Sequence, residues 1–232
     1  MVFTIQIEKE IIMNKFLKRT VWFIIFVPVT YLAVVWSRLP QKIAMHFDLQ
    51  GNADRFDSKN GFLWFIGIML VANAGMYLLL TNIYRIDPKK YAAENKDRLQ
   101  RIAFALVVFL SVVQCIVIYI GTQGSLKLNL RFFFALIGLF WAVIGNYMNN
   151  LRPNYFAGIR LPWTLENEEN WRRTHHLASK LWFGGGLLIT VMCIFTSTTV
   201  SIIAIFSILL IAVLIPVIYS YRFYKKQKSA RA

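Results

Sequence analysis

Apolar residues in this chain come in long uninterrupted runs rather than at every second or every third to fourth position. Six such runs fall at roughly 20–36, 61–83, 102–122, 131–148, 181–198 and 199–221. Most are about 20 residues long and carry no charge, the length a helix needs to cross a hydrocarbon core of roughly 30 Å. The last two are continuous from Leu181 to Tyr221, too long for one crossing even with tilt. The cluster Thr196-Ser197-Thr198-Thr199 is the natural place for a tight turn between them. The pattern predicts an all-α integral membrane protein with six transmembrane helices.

Between the runs lie two informative polar stretches. The first, residues 37–60, contains IAMHFDLQGNADRF, which has extended character on both sides of a Gln-Gly-Asn turn and predicts a small hairpin. The second follows Asn149-Asn150 and reads RPNYFAGIRLPWTL. Pro153 forces Arg152 out of helical geometry, Gly158 supplies conformational freedom, and Pro162 stiffens the next turn. Thr164 is then expected to cap a helix whose first turns hold Glu166, Glu168 and Glu169. Glu168–Arg172 and Glu169–Arg173 are pairs four apart in the favourable order. Trp171, Thr174, Ala178, Leu181 and Trp182 share a stripe, so residues 165–180 are predicted to form one interfacial amphipathic helix running into the fifth span.

Composition agrees: 57% of the 232 residues are hydrophobic and 16% charged, where a soluble domain carries about a quarter charged. The net charge of +15 does not indicate nucleic acid, because the cations gather at the ends of the apolar runs. With the amino terminus inside, 20 of the 26 Lys and Arg lie on the cytoplasmic side and 6 outside. Both termini and the 149–180 loop are therefore expected in the cytoplasm, and residues 37–60 outside. Lys15, Lys18 and Arg19 precede the first run without a cleavage site following, which predicts an uncleaved first helix. Met13 begins a more usual start (MNKFLKRTVWF), so residues 1–12 are read as a dispensable extension.

Candidate chemistry is sparse. Cys115 and Cys193 sit in mid-run and read as small apolar residues, not as a disulfide or zinc pattern. Apart from Arg131 at the very start of the fourth, no charge lies within the spans, which argues against an ion-coupled pump. Their polar residues, among them Asn73, Asn82, Ser111, Gln114, Asn146 and Thr190, read as interhelical hydrogen bonders, and Gly184-Gly185-Gly186 as a close helix contact. His46, Asp48, Asp54 and Asp57 invite a metal, but their spacing is not that of a calcium loop, and a polar hairpin with a link such as Asp48–Arg55 is the better reading. His175-His176 has no nucleophile nearby and no zinc-ligand spacing, so no catalytic residue, metal or cofactor is expected. Arg152 and Arg160 sit where lipid phosphates, helix-end carbonyls or a partner's carboxylates are within reach.

The segment NNLRPNYFAGIRLPWTLENEENWRRTH (149–175) resembles the motif of the SdpI-type immunity protein family, bacterial membrane proteins that protect a producer from its own secreted sporulation-delaying toxin. The matching positions are Arg152, Pro153, Asn154, Gly158, Ile159, Arg160, Pro162, Trp163, Thr164, Leu165, Trp171, Thr174 and His175. The stretch LPQKIAMHFDLQGNADRFDSK is similar to the small two-helix module of unknown function that often precedes this motif, through Pro40, His46, Gly51, Asp54 and Lys59. After His175 the family commonly has a basic residue and paired glycines. This chain has His176-Leu177-Ala178-Ser179, which favours a continuous helix.

The resemblance implies a cytoplasmic amino tail (1–19), an amino-terminal module (20–101) with outer loop 37–60, a four-helix SdpI-like domain (102–221) with the motif loop 149–180, and a basic tail (222–232). It further implies a non-enzymatic immunity protein of the bacterial cytoplasmic membrane. Its partners would be the bilayer, a membrane-active toxic peptide and a cytoplasmic regulator, but not nucleic acid. A small-molecule or peptide exporter is the alternative, with Asn73, Asn82, Gln114 and Asn146 as its polar pathway.

Overall fold

A computed structural model describes residues 2–48, 52–89, 91, 93–124 and 130–230, with side chains from Arg19 onward. Seven α-helices and one hairpin follow in the order α1 (Val2–Val35), β1 (Lys42–Phe47), β2 (Ala53–Ser58), α2 (Lys59–Ile86), α3 (Lys96–Gln123), α4 (Leu130–Met148), α5 (Pro162–Leu165), α6 (Glu168–Phe195) and α7 (Thr198–Ser229). Among the described residues six helices are long and apolar enough to cross a membrane. The six-span reading of the sequence therefore holds, and this is a multi-pass membrane protein. Several ends differ from the hydropathy pattern. α1 begins at Val2 and α7 runs to Ser229, so the two terminal tails expected at 1–19 and 222–232 are mostly helical. No glycine interrupts either extension, and the only proline inside each helix (Pro28, Pro216) lies in its apolar part.

The chain divides into two compact units. The first comprises Met1–Tyr77 and Leu106–Leu128, the second Leu78–Ala105 and Asn129–Ala232. In the first unit β1 and β2 pair antiparallel, Lys42 facing Ser58 and Phe47 facing Ala53. β1 places Ile43 in a core with Leu32, Val35, Leu39, Phe62, Ile66 and Ile118. Deeper in the unit Asn73 donates to Ser111 Oγ (3.1 Å) and the Gln114 amide lies 3.5 Å from the Met69 carbonyl. These are the interhelical hydrogen bonds expected of polar residues inside spans.

In the second unit α4, α6 and α7 pack on one another. Glycine makes the α4–α6 contact possible. A Cβ on Gly138 would lie 2.8 Å from the Gly186 carbonyl oxygen, and one on Gly186 would overlap the backbone of Ala142. The Gly184-Gly185-Gly186 run is thus a close-packing element at Gly186, while Gly184 faces open space. Ala135, Ile189, Cys193 and Ile205 fill the core beside it. The turn between α6 and α7 falls at Thr196-Ser197, inside the predicted cluster, with Ser197 Oγ accepting from Val200 N–H.

Candidate functional site

The motif segment is a compact knot tied around its own polar side chains. Asn154, fully buried, turns residues 152–157 about its amide. Its Oδ1 accepts from Phe156 N–H (2.9 Å) and Ala157 N–H (2.7 Å), and its Nδ2 donates to the Arg152 carbonyl (2.9 Å). The chain next reverses at Gly158, whose φ of 102° is one that side-chain-bearing residues rarely adopt. A Cβ at Gly158 would also collide with Nε2 of His175. The glycine is required by both the backbone and the ring behind it.

His175 explains the reversal. Its Nε2 lies 3.0 Å from Ile159 N–H, and its Nδ1 lies 2.8 Å from the Trp171 carbonyl. A backbone N–H can only donate and a carbonyl only accept, so Nδ1 carries the proton and Nε2 is the acceptor. The ring lies flat on the Trp171 indole, with centroids 3.9 Å apart and planes inclined by 19°. Trp171 in turn donates to the Leu151 carbonyl (2.7 Å). Burial lowers the His175 pKa to about 4. His175 stands before Lys180, the last charge of α6, and so precedes the apolar crossing stretch of that helix.

Pro162 starts the single turn α5, where its missing N–H costs nothing. Thr164 is buried and spent inside the knot. It accepts from Leu161 N–H (2.9 Å), and its hydroxyl lies 2.8 Å from the Ile159 carbonyl. It therefore does not cap the long helix, contrary to the sequence expectation. α6 begins at Glu168 and its cap is Asn167, whose Oδ1 accepts from Asn170 N–H (2.8 Å). From there α6 is unbroken to Phe195, as the absence of paired glycines after His175 suggested. Glu169 binds both Arg172 (2.8 Å) and Arg173 (2.5 Å), and these two hold its pKa down to about 2. Glu168 does not pair with Arg172 as expected, but accepts from the Tyr91 hydroxyl (2.7 Å).

The knot is fastened on two sides by residues that the motif does not contain. On one side is the connection between α2 and α3. Asn95, fully buried, exchanges two hydrogen bonds with the backbone of Arg152 (2.9 and 3.1 Å). The Asp87 carboxylate accepts from Tyr155 N–H (3.2 Å), and Lys89 Nζ donates to the Leu165 carbonyl (2.9 Å). On the other side is α7. Trp163 Nε1 donates to Ser220 Oγ (3.0 Å), Asn170 Nδ2 to the Ser220 carbonyl (3.0 Å), and Asn167 Nδ2 to Gln227 (2.7 Å). Thr174 donates to Asn170 Oδ1 (3.0 Å), completing the buried chain.

Of the motif residues singled out in the sequence, Pro153, Asn154, Thr164, Trp171, Thr174 and His175 are buried and Gly158, Pro162 and Trp163 are built into the knot. Arg152 and Arg160 are exposed. Arg152 pairs with Glu94 (3.2 Å), and Arg160 Nη1 donates to the Tyr155 carbonyl (2.7 Å). Asp87, Asn95, Asn170 and Ser220 escaped the sequence reading. The one local hint was Asp87-Pro88, a turn-starting pair.

The residues singled out between 37 and 60 belong to the first unit. His46 Nδ1 lies 2.7 Å from Asp54 Oδ1, both exposed. Lys59 donates to the Trp36 carbonyl (3.3 Å) and lies over the Trp36 ring. Asp48 accepts from the backbone N–H (2.8 Å) and the amide (3.1 Å) of Asn52. Pro40 lies between Leu39 and the start of β1, half-buried, and Gly51 lies outside the described residues. Among the described residues no three His, Cys, Asp or Glu side chains are grouped to hold a metal ion.

These features define a class, a multi-pass helical membrane protein with a small hairpin between its first two spans and a polar-cored knot between its fourth and fifth. Residues 150–220 match the SdpI/YfhL protein family, and residues 23–71 match a domain of unknown function, DUF1648. The chain is also 27% identical over 219 residues to Immunity protein SdpI of Bacillus subtilis (strain 168), covering 93% of this chain and all of that protein. These likenesses support the resemblance to the SdpI-type family read from residues 149–175. No solved structure matches it.

Proposed function

We propose that the chain is an immunity protein of the bacterial cytoplasmic membrane, which protects its cell by binding a secreted membrane-active peptide before that peptide permeabilises the bilayer. The observation that carries this reading is the end-to-end similarity to Immunity protein SdpI. It spans the hairpin, the knot and the helices between them, whereas shared hydrophobicity alone would match scattered spans. The charge asymmetry supports a cytoplasmic knot and an outward hairpin. On this reading residues 20–101 form the amino-terminal module and 102–221 the immunity domain. The role is binding rather than catalysis. Both ring nitrogens of His175 are engaged in backbone hydrogen bonds, which supports a structural histidine over a general base.

The motif then acts as a brace that holds the α2–α3 connection, α6 and α7 in one arrangement, with Arg160 as its exposed contact for a soluble regulator. The test is survival. A deletion strain, the parent, and deletion strains complemented with the wild-type gene or with Arg160→Ala are challenged with spent medium of the parent culture. Killing of the deletion and Arg160→Ala strains alone, with normal Arg160→Ala protein in the membrane, is the expected result. Equal growth of all strains would refute self-protection against that secretome.

A further inference from the structure

The cations around the knot share an arrangement, in which most of them lie against the faces of tyrosines. Arg85 and Lys96 both lie over the ring of Tyr84, 5.5 and 5.2 Å from its centroid. Lys89 lies 5.1 Å from the centroid of Tyr155, whose carbonyl receives Arg160, and Arg152 lies 5.6 Å from that of Tyr91. Four such contacts fall on three tyrosines of the second unit. Among the described residues only Arg152 of these five cations has a carboxylate partner.

The distinction matters chemically. A carboxylate cancels a cation, whereas a tyrosine face holds it in place and leaves its charge available to an anion. Position supplies the rest. Arg85 is the penultimate residue of α2 and Lys96 the first of α3, both helices apolar enough to cross a membrane. The same helix carries exposed apolar side chains: Ile86, next to Arg85, is 58% exposed, and Leu78 and Leu79, about two turns back along α2, are nearly half exposed. A ligand that suits both must carry an anionic head and an apolar body.

We propose that this tyrosine-backed collar binds anionic phospholipid, its arginines and lysines taking the phosphate while the acyl chains lie along the exposed apolar side of α2. The full chain, purified in mild detergent, is mixed with equal phosphatidylglycerol and phosphatidylcholine of the same acyl chains, and retained lipid is counted by native mass spectrometry. Wild type retains phosphatidylglycerol in preference, and the preference weakens as salt is added. Arg85→Gln with Lys96→Gln lowers the ratio about fivefold per cation removed, whereas Lys42→Gln, at an exposed position of β1, leaves it unchanged. Equal retention of both lipids by wild type, or a salt-independent preference, overturns the proposal without recourse to any variant. Displacement of the lipid by glycerol phosphate at equal concentration also overturns it, in favour of a site for soluble phosphate.

Discussion

His175 cannot be protonated without surrendering the hydrogen bond from Ile159, because Nε2 would then become a donor facing a donor. Its pKa is lowered from 6.5 to about 4 by burial, so the folded chain holds fewer protons than the unfolded chain between those values. Stability is complete above that window and falls as pH drops through it, by at most about 1.4 kcal/mol per pH unit. Glu169, held down to about 2 by its two arginines, stays ionised throughout. Thermal unfolding followed by tryptophan fluorescence is expected to shift downward between pH 7 and pH 4.5. His175→Phe should lower the starting point and flatten this dependence. At Gly158 both the positive φ and the collision with His175 oppose a side chain. Gly158→Ala is expected to cost about 1–3 kcal/mol, read as a lower unfolding temperature in detergent. A glycine between Phe156 and Arg160 announces a bend in the sequence, but the ring that makes it obligatory is 17 residues away and only the fold supplies it.

At the scale of elements, the long apolar runs without charge identify the spans because a membrane tolerates little else. The hairpin was legible for a different reason: extended residues flank a Gln-Gly-Asn turn, and both strands formed where expected. The start of α6 was not legible. Thr164 and Asn167 are both competent caps, and the choice falls to Asn167 because the Thr164 hydroxyl is already spent on Leu161 and Ile159. The packing of α4 on α6 gives a test with an internal control. Gly186→Leu has no room against Ala142 and Gly138, whereas Gly184 is exposed and a Cβ added there meets nothing. The first is expected to destabilise by about 1–3 kcal/mol or more through overpacking, and the second to be nearly neutral. Cys193 is fully buried in the same core, so the onset of its alkylation on heating reports the difference.

Across the second unit, the residues of the motif have a common task that their sequence proximity conceals. Their partners are the α2–α3 connection, 57 to 77 positions earlier, and the end of α7, 50 to 60 positions later. No local pattern encodes pairings at such separations, which is why the motif reads in the sequence as a list of candidate ligands and in the fold as a fastening. If it is a fastening, loosening one side should be felt along the knot. Asn95→Ala removes both bonds to the Arg152 backbone, leaving its N–H without that acceptor and its carbonyl with only the Asn154 amide of these two donors. Hydrogen exchange at Arg152 and Tyr155 is then expected to accelerate at least several-fold, since each lost bond is worth about 1 kcal/mol. Ile159, held by His175 instead, should follow to a smaller extent, and the hairpin amides of β1 and β2 should not change. Acceleration confined to Arg152 would mean that the polar residues act as separate local caps. Coordinated acceleration through Ile159 would mean that the knot opens as one body, as a brace between the α2–α3 connection and α7 must.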